Sequence, residues 1–82
     1  MIFHEAMVLH EFTMGDVEDP YLYAAFPISA WQETEMGRWV MANVEGQASF
    51  HIHPDPMQYG YRVVITGKLS PKAETFFRLK FR

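Results

Sequence analysis

The feature that most limits what this chain can become is a two-residue alternation of apolar and polar side chains through its last third. Ala48, Phe50 and Ile52 alternate with Ser49, His51 and His53. Tyr61, Val63, Ile65 and Leu69 alternate with Arg62, Val64, Thr66 and Lys68, and Ala73, Thr75, Phe77, Leu79 and Phe81 alternate with Glu74, Phe76, Arg78, Lys80 and Arg82. A period of two is that of a strand with one buried face. Pro54-Asp55-Pro56 and Ser70-Pro71 supply breaks, so the pattern predicts three successive strands in an antiparallel meander with one apolar and one polar face.

Upstream, the even positions Ile2, Ala6, Val8, Phe12 and Met14 are apolar while Glu5, Glu11 and Thr13 fall on odd ones, which predicts a strand over residues 6–14. His4 and His10 interrupt its apolar face. Asp19-Pro20 then offers a helix N-cap followed by proline at the first helical position, where the missing N–H costs nothing. A short helical turn over 20–26 is expected, ended by Pro27. Ser29 with Gln32 three residues later forms a capping pattern ahead of a main helix over 28–44, with Gly46 just beyond its end. Trp31 and Trp39 share a face of that helix and are its expected anchors on the sheet. Gly37 in mid-helix costs about 1 kcal/mol against alanine, so it marks either a close contact or a weak point. The expected fold is therefore α+β, order β-α-β-β-β: one main helix packed on one face of a mostly antiparallel four-stranded sheet, with the first strand free to take either edge.

Length and composition fit one domain spanning residues 1–82. At 49% hydrophobic and 21% charged residues the chain is far from the signature of disorder. It has no cysteine, which excludes disulfides, thiolate metal sites and a cysteine nucleophile. Residues 1–14 lack the basic and apolar regions of a signal peptide, and no apolar run approaches the roughly 18 residues of a membrane span, so the expectation is a cytoplasmic protein without a membrane partner. Charge is uneven: residues 1–37 hold seven acids and no Lys or Arg, and residues 38–82 hold seven bases and three acids. Mutual attraction of the two halves within one fold is the simpler explanation; a basic partner-binding surface is the other.

The polar face of the meander is the candidate site. Alternation places His51, His53, Arg62, Val64, Thr66, Lys68, Phe76, Arg78, Lys80 and Arg82 on it, and Phe76, Val64, Arg62, Arg78, Lys80 and Arg82 form the expected interaction face. Phe76 among bases is the informative residue. The leading reading is a non-enzymatic accessory protein that contacts a protein partner or a second copy of itself. Single-stranded nucleic acid or another polyanion is the alternative, with Phe76 stacking on bases. An ordinary solvated face, its bases paired with Glu5 and Glu11, is the third reading.

His51 and His53 project to one side of a strand, and Asp55 extends the series, which is the only metal-ligand spacing in the sequence. No His or Asp follows Asp55, and a solvated histidine pair is the simpler reading. Ser29, Ser49 and Ser70 read as cap, strand and turn residues, Glu33 and Glu35 diverge on their helix, and the glycines form no phosphate-binding loop. No catalytic residue and no cofactor is therefore expected.

Residues 11–20 (EFTMGDVEDP), 31–41 (WQETEMGRWVM) and 59–63 (YGYRV) together resemble short proteins encoded by tailed phages, marine ones included. No activity, fold or site is attached to that group, so the resemblance implies an origin and a host-cytoplasm location but no function.

Overall fold

The computed structural model describes residues 6–57 and 59–81. The chain forms β1 (Met7–Met14), α1 (Pro20–Gln32), α2 (Glu35–Asn43), β2 (Glu45–Pro54), β3 (Tyr61–Lys68) and α3 (Pro71–Phe81). The three strands make an antiparallel sheet in the order β1-β3-β2. The expected four-stranded β-α-β-β-β arrangement is thus corrected to three strands and three helices. The class remains α+β, but the last third of the chain holds two strands and a helix.

The segment that changes type is 71–81. Ser70 Oγ accepts a hydrogen bond from the Ala73 N–H (3.1 Å), and Glu74 N–H donates to Ser70 C=O (2.8 Å). Ser70-Pro71 is therefore a helix start, the same cap-plus-proline device as Asp19-Pro20, where Asp19 Oδ1 accepts from Leu22 N–H (3.2 Å). Spacing by four is also an even spacing, so Ala73, Phe77 and Phe81 satisfy a strand pattern and a helix pattern at once. Helix wins because Phe77 becomes completely buried, flanked by the half-buried Ala73 and Phe81, while Glu74 and Arg78 pair across one turn (2.7 Å).

The helical region between β1 and β2 also divides differently. α1 runs through Pro27, and the break falls at Glu33-Thr34. Thr34 ends one helix and starts the next: its hydroxyl donates to Trp31 C=O (2.6 Å) and accepts from Gly37 N–H (3.1 Å). Gly37 fits this tight corner because it has no side chain. A Cβ there would lie 1.9 Å from the Trp31 carbonyl oxygen. Gly37 therefore marks a close contact. Gly46, expected just past the main helix, has φ +72 and lies within β2.

β1 carries a bulge that explains its broken alternation. Met7 pairs with Gly67 and Val8 with Thr66, but His10 pairs with Ile65, so the extra residue Leu9 shifts the inward face from odd to even positions. Met7, Leu9, Phe12 and Met14 consequently share the helix side of the sheet and Val8 leaves it. His10 no longer interrupts an apolar face by accident: its ring stacks on Trp31 at 5.4 Å. At the other end of the sheet Gly60 (φ +146) comes so close to the Met14 carbonyl that a Cβ would sit 2.1 Å away.

The core lies between the sheet and the three helices and contains Leu9, Trp31, Val40, Ile65, Leu69 and Phe77. Trp31 meets the sheet side as expected. Trp39 instead joins helices, with its ring 5.2 to 6.0 Å from Phe76, Phe77 and Phe81 of α3. Lys80 reaches Glu35 (2.8 Å) and Arg38 reaches Glu33 (3.5 Å), so two ion pairs join the acidic first half to the basic second.

Candidate interaction surfaces

All three helices cover one side of the sheet, and among the described residues no helix or strand covers the other. Paired residues share a face, which puts Val8, Glu11 and Thr13 of β1, Arg62, Val64, Thr66 and Lys68 of β3, and Ser49, His51 and His53 of β2 on the open side. Of the expected polar face, His51, His53, Thr66 and Lys68 are in place, as are Arg62 and Val64 of the expected interaction face. Phe76, Arg78 and Lys80 are not: they lie on α3, on the helix side of the molecule, because that segment is not a strand. Phe76 is half exposed but stacked on Trp39. The basic cluster with an aromatic at its centre, on which the nucleic-acid reading depended, is therefore divided between two surfaces. Arg82, like His4 and Glu5, lies outside the described residues.

The histidine pair is brought together as the strand period requires. The His51 and His53 rings stack at 6.3 Å, and His51 Nε2 lies 3.1 Å from Thr66 Oγ1. Asp55 does not join them as a free carboxylate. Its Oδ1 accepts from Met57 N–H (3.0 Å), closing the β2–β3 turn, and its Oδ2 faces Arg62 (3.8 Å) with the side chain almost fully covered. Among the described residues no three His, Asp or Glu side chains converge in a way that holds a metal ion. Val8, Glu11, His53, Arg62 and Val64 line a shallow, open depression that runs to the Pro54–Met57 turn. Val8 and Val64 give it an aliphatic floor, and Glu11, Asp55, His53 and Arg62 give it a rim of mixed charge.

The fold alters the ionisation of His10. Burial against Trp31 lowers its pKa from the usual imidazole range, and the neighbouring Glu11 carboxylate partly opposes that.

A different surface, on α1, which spans the expected short turn over 20–26 and the start of the expected main helix, groups four exposed large apolar side chains on one helix. α1 holds no charged residue from Pro20 to Gln32. Only Ala24 and Trp31 on it are buried, whereas Tyr21, Leu22, Tyr23 and Phe26 are 73, 60, 52 and 73% exposed. On a helical wheel Tyr21, Ala25, Ser29, Leu22, Phe26, Ala30 and Tyr23 form one continuous outward arc. With roughly 150 to 250 Å² per large side chain, the four big residues present about 500 Å² of apolar surface. That is at the upper end for a patch on a free-standing monomer. The signal was present in the sequence as a 13-residue uncharged stretch, but its exposure depends on where the sheet ends.

Comparison with protein-family models, with curated proteins and with solved structures finds no match to this chain. Among the described residues no helix is long and apolar enough to cross a membrane.

Proposed function

We propose that this chain is a non-enzymatic, cytoplasmic interaction module that docks the outward arc of α1 into an apolar groove on a partner protein. The observation that carries this reading is the exposure of Tyr21, Leu22, Tyr23 and Phe26 on a helix without a single charge. Leu22 and Phe26 are one turn apart and serve as the i, i+4 anchors of helix-in-groove recognition. Ala25 and Ser29 between the large side chains let the groove wall approach the helix. Asp16, Glu18 and Asp19, all exposed, lead into the N-terminus of α1, so the groove is basic at the rim that meets them.

A membrane surface fits less well. Interfacial helices carry Lys and Arg on a polar face, and α1 has none and follows three acids that anionic lipid repels.

The test is a photo-crosslinking residue placed at position 26 and, as a control, at position 78 on α3, in cells that make the protein. The expected result is a discrete crosslinked protein at 26, absent at 78 and lost when Leu22→Asp is added, with the crosslinked peptide mapping to an apolar groove. Equal products at 26 and 78, no product at 26, or binding to neutral phospholipid vesicles that Leu22→Asp abolishes would refute it.

A further inference from the structure

We infer that two copies of this chain pair through the free edge of β2, extending the sheet to six strands. The contact is separate from α1 and does not depend on what α1 binds.

β2 is unusual for a ten-residue strand in a small fold because none of its residues is buried: eight are exposed and only Ala48 and Ile52 are half-buried. Edge strands are normally protected by charge, a bulge or proline. β1, the opposite edge, has both its bulge and Glu11 at mid-strand. β2 has Glu45 and an irregular register ahead of Ser49 and Pro54 at its far end, so its protections sit at its two ends; between them, from Ser49 to His53, it has no Asp, Glu, Lys or Arg and pairs regularly with β3.

The direction of its free backbone groups follows from one hydrogen bond. Asp55 N–H donates to Gly60 C=O (3.0 Å), which makes Asp55 and Gly60 a hydrogen-bonded pair in the antiparallel ladder. Hydrogen-bonded and non-hydrogen-bonded pairs alternate. Ser49, His51 and His53 therefore spend their N–H and C=O groups on β3, and Phe50, Ile52 and Pro54 turn theirs outward. Pro54, which has no N–H to give, occupies an outward position, as edge proline does.

This parity selects a register. With an axis of two-fold symmetry normal to the sheet, Phe50 opposite Ile52 of the second copy, and Ile52 opposite Phe50, satisfies the outward N–H and C=O of both residues within the regular stretch. Shifting two residues one way sets Pro54 against Phe50 and loses an N–H on each side. Shifting the other way recruits Ala48, where the pairing with β3 is irregular. In the selected register the 37%-exposed Phe50 packs on Ile52 of the other copy, an aromatic against a β-branched side chain. His51 faces His51 of the other copy as a non-hydrogen-bonded pair with Cα atoms about 4.5 Å apart, and no like charges of Asp, Glu, Lys or Arg are opposed.

The absence of cysteine makes the register directly readable. In His51→Cys the two thiols fall within disulfide reach, about 4.4 to 6.8 Å between Cα atoms. In Ser49→Cys, on the same face and also exposed, they lie four residues out of register. The unmodified chain is expected to sediment at twice 9.6 kDa. Ile52→Pro is expected to weaken dimerisation at least tenfold with the folded circular-dichroism spectrum retained, because position 52 donates nothing to β3. Should that variant not fold, Phe50→Lys replaces it. His51→Cys should crosslink under mild oxidation, Ser49→Cys should not, and Phe26→Asp should leave the dimer intact. A 9.6 kDa monomer at millimolar concentration, crosslinking at 49 rather than 51, or a dimer abolished by Phe26→Asp but not by Ile52→Pro or Phe50→Lys overturns the inference.

Discussion

Gly37→Ala separates what a helix position ordinarily does from what this corner requires. Judged as a helix residue, replacing Gly37 with alanine should stabilise the protein by up to about 1 kcal/mol. The added Cβ, however, would lie 1.9 Å from Trp31 O, 2.7 Å from Trp31 C and 2.7 Å from Gln32 Cα. All three obstacles are backbone atoms of the last turn of α1, so no side-chain rotation relieves them. An ordinary carbon–oxygen contact of about 3.3 Å requires α1 and α2 to separate by about 1.4 Å. Trp31 is part of the core, and Thr34 holds both helix ends through its hydroxyl, so that opening strains packing and capping together. Overpacking costs about 1 to 3 kcal/mol and a lost cap about 1. After subtracting the helix-propensity gain, the net loss is about 2 kcal/mol, which for a domain of this size lowers Tm by about 8 to 16 °C. Urea and thermal unfolding followed by tryptophan fluorescence measure it. Gly15→Ala is the control, because a Cβ at Gly15 meets nothing within 4 Å and its φ is not positive. That change should be neutral or gain about 0.4 to 1 kcal/mol. An unchanged or higher Tm for Gly37→Ala would show that the corner opens freely and that the reasoning is wrong.

Adjacent phenylalanines on α3 should behave very differently in the same assay. Phe77→Ala removes a completely buried ring and should cost about 3 to 5 kcal/mol, while Phe76→Ser loses mainly its half-exposed stack on Trp39 and should cost about 1 kcal/mol with the fold retained. Equal losses would contradict the placement of 71–81 as a helix. For His10 the folded-state pKa is lowered, chiefly by burial, so the unfolded chain takes up the proton first on acidification. The corresponding stability is present above about pH 6.5 and declines as pH falls through the folded-state value. Urea midpoints for the wild type and His10→Gln between pH 7.5 and 5 should converge as pH is lowered; parallel curves would exclude His10 as the cause.

The two proposed contacts use opposite properties of the same small fold. A short chain with three helices on one side of a three-stranded sheet cannot cover both the outer arc of a helix and both sheet edges. α1 leaves side chains exposed, and β2 leaves backbone groups exposed. The first suits a shaped apolar groove, and the second suits another strand, for which an identical copy supplies a matching pattern of donors and acceptors.

Local chemistry made several parts of this protein legible without any structure: the strand over residues 6–14, the two strands at 48–53 and 61–69 and the Asp19-Pro20 helix start, while Gly37 stood out as either a close contact or a weak point, a choice that only the structure makes. These depend on side-chain period, on capping geometry and on what glycine permits, all of which act within a few residues. The type of the last segment was not legible, because Ala73, Phe77 and Phe81 fit periods of two and of four equally well. Only the slot beside Trp39 and Leu69, filled by Phe77, distinguishes them. The same holds for the site. His51 and His53 were correctly placed on one face by the strand period, yet moving Phe76, Arg78 and Lys80 to the other side of the molecule dissolved the surface they were expected to share. The uncharged run of α1 and the uncharged edge of β2 were visible as composition. Whether such a run is core or contact depends on how much of it the rest of the chain covers, and coverage is a property of the tertiary arrangement alone.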